Sequence, residues 1–349
     1  LKLKPLGETK KFQTVQFGVE VYGGALINSW IDRDLSIAGK VIFKDDNGLL
    51  SSSLLHINQA LLRIPQIAIH LHREVNEEGF KINKETQLKP FVEVQSETLN
   101  NSHILNDFIS KKLSLSSKQL LSFDLSLVPL EKSLYGGFNN EYIFAPRLDN
   151  LAMCHAAISA ISSVRNQSEH VDMIALFDHE EIGSISTTGA DYSLLKDTCH
   201  RIWNSLKLGQ ENFFHTKEKS LFISADMAHA LHPNYSEKHD GVHAPLLNNG
   251  PVIKVNNNKR YATDAEGEAI FKLLCEQAEV NHQYYVCRSD LPCGSTIGPM
   301  SAAQLGIRCI DVGNPMLSMH SSREMSGSRD HHLMIRVFTR FFETEYLGW

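Results

Sequence analysis

The apolar positions change their period about a third of the way along the chain. From Leu1 to about Val94 they come in short runs. Phe12, Val15, Phe17, Val19 and Val21 alternate imperfectly and end at Tyr22-Gly23-Gly24, and Leu35 to Phe43 is closed by the turn Asp45-Asp46-Asn47-Gly48. Leu61 to Leu71 is apolar and broken by Pro65, and Phe91 to Val94 is a further short strand. No long helical period occurs here, so this part reads as a β-rich module. From Asn100 to Leu121, Ile104, Leu105, Phe108, Ile109 and Leu113 fall at helical spacing.

Beyond it the pattern alternates between the two periods. Strands are predicted over Phe123 to Val128, Tyr142 to Phe144, Val171 to Phe177, Ser220 to Ser224, Val252 to Val255, Tyr284 to Arg288 and Ile307 to Val312. Helices are predicted over Leu151 to Val164, Ser193 to Leu208, Ala265 to Val280, Pro299 to Leu305 and His331 to Tyr346. Alternating strands and helices predict an α/β sheet flanked by helices. The division expected is 1–115 for the β-rich domain and 116–349 for the α/β domain.

Composition narrows the class of protein. With 42% hydrophobic and 21% charged residues the chain is globular. A formal net charge of −6 gives no reason to expect a nucleic-acid or membrane-surface partner. No apolar run approaches the roughly 20 residues of a membrane span. The six cysteines form no CxxC pair and no regular framework, which suits a reducing compartment.

Chemistry gathers after the predicted strands, where open α/β sheets bind ligands. Val171 to Phe177 runs into Asp178-His179-Glu180-Glu181-Ile182-Gly183. Buried charge is costly unless it is paired or binds metal, so this stretch is either a site or an acidic surface loop. Asp149 precedes an apolar helix and taken singly reads as an N-cap. Asp226 follows Leu221-Phe222-Ile223 and reads the same way. His320 lies beyond Ile307 to Val312. Together, three carboxylates and a histidine beyond separate strands suit Zn²⁺ or a similar cation gathered at one sheet edge. HExxH, P-loop, GxGxxG and GxSxG patterns are absent, which removes the commonest alternatives.

These motifs are recognisable in combination. Arg147-Leu148-Asp149-Asn150, Asp178 to Gly183, Ser224-Ala225-Asp226-Met227-Ala228-His229 and Met319-His320-Ser321-Ser322-Arg323-Glu324 resemble the aspartyl aminopeptidase family. So do Tyr22-Gly23-Gly24, Trp30 to Gly39, Ile69-His70-Leu71, His232-Pro233-Asn234-Tyr235 and Pro292 to Pro299. The resemblance implies a di-zinc peptidase that removes N-terminal Asp or Glu from peptides. It also implies an inserted β-rich dimerisation domain and dimers that assemble into a dodecamer. A cytoplasmic setting is implied as well, though some relatives are vacuolar.

The resemblance assigns roles to individual residues. Asp149 bridges two metals, Glu181 and His320 complete one site, and Asp226 belongs to the other. Glu180 is the general base. His70, expected on a strand face with His72, stabilises the oxyanion in a partner subunit's site. Lys254 pairs with the substrate's acidic side chain, helped by Tyr261, and His232 is tied to quaternary structure. The family's His-Thr-Asp-Ser-Pro segment, which supplies a histidine to the second metal, would lie just before Leu1. An N-terminally incomplete copy is therefore expected. The alternatives are an inactive chain serving only as an oligomer subunit and a related di-metal hydrolase acting on another amide.

Overall fold

The computed structural model describes residues 1–95, 103–164, 170–207 and 209–345. It divides into two compact units, Leu1–Lys132 and Ser133–Trp349.

The first unit is built on a six-stranded antiparallel sheet. Its strands are β1 (Lys2–Lys11), β2 (Thr14–Glu20), β3 (Leu35–Lys44), β4 (Leu50–His56), β5 (Phe91–Val94) and β6 (Leu120–Pro129), in the order β4-β3-β6-β1-β2-β5. The short helix α1 (Val75–Glu78) and the longer α2 (Ile104–Leu113) lie between β4 and β6 in the chain. Leu105 and Ile109 of α2 share a core with Val15, Phe17, Leu35, Val41 and Leu125. Glu8 accepts the backbone N–H groups of His103 (2.8 Å), Ile104 (3.0 Å) and Leu105 (2.8 Å). A carboxylate there satisfies orphan donors and opposes the positive end of the helix dipole.

β6 pairs along its length with β3, from Leu35↔Pro129 to Phe43↔Leu120. The first unit therefore runs on to Lys132, past the boundary at 115/116 that the sequence suggests. The helix expected from Asn100 starts at Ile104 among the described residues, residues 100–102 lying outside them. His70 is also placed differently. Ile69–Leu71 is a 3₁₀ turn, not a strand, so His70 and His72 do not share a strand face.

The second unit starts with β7 (Leu134–Gly136), β8 (Tyr142–Ala145) and α3 (Leu148–Ser163). It continues through α4 (Leu194–Ser205), α5 (Gln210–Glu218), β9 (Leu221–Ala225), β10 (Ala228–His229), β11 (Val252–Val255), α6 (Ala265–Gln277) and β12 (Gln283–Val286). It ends with α7 (Gly298–Leu305), β13 (Arg308–Gly313), β14 (Pro315–Leu317), β15 (Glu324–Gly327) and α8 (Asp330–Glu343). Two sheets form, β12-β11-β13-β9 and β10-β14-β15-β8-β7. Met153, Ala156 and Ala160 of α3 pack with Ile270, Phe271 and Leu274 of α6, Met334, Val337 and Phe338 of α8, and Ile253, Ile310 and Val312 of the sheet. The three-to-four residue spacing of each helical set is the period the sequence shows.

Two neighbouring parallel strands pass from one sheet into the other side by side. β9 leads through Asp226-Met227 into β10, and β13 through Asn314 into β14. The crossing is held by Asp226 N–H to the Val312 carbonyl (2.9 Å) and Ala228 N–H to the Asn314 carbonyl (2.8 Å). The backbones approach so closely that a Cβ on Gly313 would sit 1.7 Å from the Asp226 carbonyl oxygen. Because backbone cannot swing aside as a side chain can, Gly313→Ala is expected to cost about 3 kcal/mol or more. Urea unfolding of the variant at an unchanged midpoint would refute that.

Val171 to Phe177 differs from expectation. It belongs to no strand among the described residues, and Val171 and Leu176 are 61% and 51% exposed. An apolar run becomes a strand only by pairing with a neighbour, and its sequence carries no information about that neighbour.

Candidate metal centre

Asp149, Glu181 and His320 converge on one point, with a donor atom of each within 4.8 Å of the others. His320 Nε2 lies 3.0 Å from a Glu181 oxygen and 3.5 Å from Asp149 Oδ2. Each arrives on a turn with unusual backbone. Arg147, two residues before Asp149, has φ 59°; His179, just before Glu180, has φ 65°; His320 itself has φ 66°. Non-glycine residues in this left-handed region cluster at functional sites. The plainer reading of the two aspartates as helix caps does not hold: Asp149 lies inside the start of α3 with non-helical angles (φ −82°, ψ 108°), and Asp226 leads into strand β10.

Glu180 and Glu181 sit on the single 3₁₀ turn Glu180–Ile182, closed by Gly183 at φ 97°. A 3₁₀ turn rotates successive side chains by about a third of a revolution. Adjacent carboxylates can thus take different tasks, Glu181 meeting His320 while Glu180 stays outside that contact. Burial pushes the Glu180 carboxyl up to about 7, with the charges of Asp226, Glu181 and Asp149 adding to it. Asp226 is raised too, by burial first and then by Asp149, against the pull of Lys254.

The donor set fits zinc. Hydrogen bonding to Asp149 and Glu181 raises the His320 ring to about 11, which shows how strongly this position favours positive charge. Asp149 Oδ1 is buried without a hydrogen-bond partner, a costly state that a cation would relieve. Two carboxylates and an imidazole are hard and borderline donors of the kind Zn²⁺ takes in catalytic sites.

The donors do not share one sheet edge. Asp226 stands where β9 leaves the four-stranded sheet, Asp149 and His320 follow β8 and β14 of the five-stranded sheet, and among the described residues no strand leads into Glu181. Lys254 on β11 is 2% exposed and its Nζ donates to Asp226 Oδ2 at 2.9 Å. The same Nζ lies 5.5 Å from the centre of the buried Tyr261 ring. Twenty-eight residues separate Lys254 from Asp226, too far for any local signal to reveal the pair. His232 makes local contacts. Its Nδ1 accepts the Asn234 N–H (3.2 Å), its own N–H donates to His239 Nε2 (3.2 Å), and its ring meets Tyr235 edge-on. His70 is exposed in the first unit.

Glu324 belongs to this site as well, though its residue type gave no hint of it. Its buried carboxylate accepts the Asp149 N–H at 3.1 Å and the His320 N–H at 2.8 Å. Burial pushes it up to about 7 despite those donors.

Carboxylates and an imidazole around one point, with a further half-buried carboxylate beside them, define a metal-dependent hydrolase on a mixed α/β scaffold. Residues 1–342 match the family described as aminopeptidase I zinc metalloprotease (M18), and the chain belongs to that family of zinc aminopeptidases. It is 42% identical over 349 residues to a probable M18 family aminopeptidase 2 of Pseudomonas savastanoi pv. phaseolicola, covering 99% of this chain and 80% of that protein. It is 42% identical over 366 residues to aspartyl aminopeptidase 1 of Schizosaccharomyces pombe, covering 98% and 76%. A chain of the S. cerevisiae mApe1 dodecamer structure superposes with a TM-score of 0.82 at 30% identity, covering 99% of this chain and 77% of that one.

Proposed function

We propose that this aminopeptidase removes N-terminal acidic residues from peptides with Glu180 as the proton carrier. The observation that carries the reading is the convergence of Asp149, Glu181 and His320 with Glu180 next to them on one turn. In this reading Asp149, Glu181 and His320 hold one zinc ion, and Asp149 and Asp226 contribute to a second. Zinc, when bound, lowers the pKa of water and polarises a carbonyl. Glu180 takes the proton of the attacking water and returns it to the leaving amine. Its raised pKa keeps it basic enough to accept that proton near neutral pH.

Selectivity is assigned to Lys254, with Tyr261 packed against it. A lysine ammonium buried beside the site supplies positive charge that an acidic side chain would seek. Its pairing with Asp226 makes it part of the same electrostatic unit. Lys254→Ala should lower kcat/KM for N-terminal Asp or Glu peptides by tenfold or more beyond its effect on Ala or Leu peptides. Equal losses on both classes would remove Lys254 as the selectivity residue.

The β-rich first unit is proposed as the dimerisation domain, with His70 reaching a neighbouring subunit's site to steady the oxyanion and His232 tied to assembly. Support comes from edge strand β4, whose Leu50 and Leu54 are 75% and 82% exposed, and from the dodecamer formed by the yeast relative. A cytoplasmic setting is part of this reading, supported by six free cysteines. Among the described residues no helix is long and apolar enough to cross a membrane. No observation favours the inactive-subunit alternative, since the donor set of one cation is intact.

The test is release of the first residue from a peptide panel by the zinc-loaded chain, run beside light scattering for assembly state. Preference for Asp and Glu over Ala and Leu is expected. Turnover without that preference would remove the acidic selectivity, and a monomer would remove the assembly reading.

A further inference from the structure

We propose that Glu324 is a positioning residue for the metal centre, its one carboxylate tying together the two turns that carry Asp149 and His320. The inference rests on the reading of Asp149, Glu181 and His320 as zinc donors. Its own observations are geometric. Oε2 accepts the Asp149 N–H at 3.1 Å and Oε1 accepts the His320 N–H at 2.8 Å. Glu324 is 3% exposed, so the group is taken out of water at a cost these donors only partly offset.

The location explains why one side chain can serve both turns. Glu324 opens β15 and pairs with Ala145, the last residue of β8. From Ala145 the chain runs through Arg147 at φ 59° to Asp149, and His320 lies four residues before Glu324 at φ 66°. Both turns depart from regular structure, so their N–H groups have no ladder partner and need another acceptor. One carboxylate spans them and fixes the separation of two donors that come from distant parts of the chain. An apolar residue here would fill the volume and leave these N–H groups buried and unpaired.

Partners that hold ligating side chains typically account for 10–100-fold in metal affinity, and Glu324 holds two donors through their backbone. The experiment titrates Zn²⁺ into the metal-depleted full chain against a competing chelator, for wild type, Glu324→Gln and Glu324→Asp. It also records the visible spectrum of each with Co²⁺ in place of zinc. Glu324→Gln retains one good acceptor and turns a donor amide toward the other N–H, so zinc affinity should fall about 10–100-fold with a changed Co²⁺ spectrum. Glu324→Asp, which keeps the charge on a shorter arm, should recover part of that loss. Wild-type affinity and spectrum in Glu324→Gln would overturn the proposal. So would a lower melting temperature with unchanged affinity and spectrum, the mark of a purely structural carboxylate. If Glu324→Gln does not fold, Glu324→Asp decides in the same way: weakened zinc binding and an altered spectrum support the proposal, and wild-type values overturn it. His320→Ala separates the two levels of inference. If it binds zinc as tightly as wild type, the donor assignment itself fails, whatever Glu324 does.

Discussion

Glu180→Gln should keep its zinc and lose turnover by about 10²–10⁴-fold, the range general acid–base groups contribute. The substitution is nearly isosteric and Glu180 lies outside the contact between Glu181 and His320, so the donor cluster should remain as it is. What disappears is a half-buried carboxyl next to the cluster with a pKa raised toward neutrality and no donor role in the reading above. The expected signature is a fall in kcat with an unchanged metal content, read by steady-state kinetics beside elemental analysis. Turnover near wild type would show that another group carries the proton. The pH profile follows with a definite sign. A base works only when ionised, so kcat/KM should fall as pH drops through the Glu180 pKa, which is raised to about 7 in the metal-free protein. Cations bound nearby favour the ionised form, which moves the acidic limb below 7 in the zinc-loaded enzyme.

Much of the second unit was visible in the sequence because its elements carry their own signal. α3, α6 and α8 show apolar residues at helical spacing, and β9, β11 and β13 are short β-branched or aromatic runs buried in the core. β4 escaped because Leu50-Ser51-Ser52-Ser53-Leu54 is an edge strand with one open side, so its pattern is polar. β14 and β15 are three and four residues long, too short for any period to register. Asp149, Glu181 and His320 were legible as chemistry only in combination, since each taken singly has a plainer reading and the resemblance of the motifs around them supplied their roles. The single sheet edge imagined for them was wrong, because the two sheets and the crossing at Gly313 are a matter of pairing between distant segments. Glu324 and the Lys254–Asp226 pair were missed for the same reason. A glutamate after Ser-Ser-Arg looks like surface until β15 is seen to lie against β8.

Zinc should stabilise the wild-type fold, and Glu181→Ala should abolish most of that stabilisation while changing the metal-free protein little. A ligand that binds only the native state adds RT ln(1 + [L]/Kd), about 4 kcal/mol at a thousandfold excess over Kd. Glu181 offers one of three converging donors, so its loss leaves Asp149 and His320, too few for a firm zinc site. In the metal-free protein two effects of Glu181 oppose one another. It pairs with the His320 ring at 3.0 Å, and it repels the Glu180 charge. Both groups of the pair are about one-third exposed, so solvent screens the attraction, and removing it together with the repulsion should shift the metal-free melting temperature by only a few degrees. The decisive quantity is therefore the difference between melting temperatures with and without zinc. It should be large in wild type and Glu180→Gln, and near zero in Glu181→Ala. A full zinc shift in Glu181→Ala would remove Glu181 from the donor set. An equally small shift in Glu180→Gln would mean that the division of labour between these adjacent carboxylates is drawn in the wrong place.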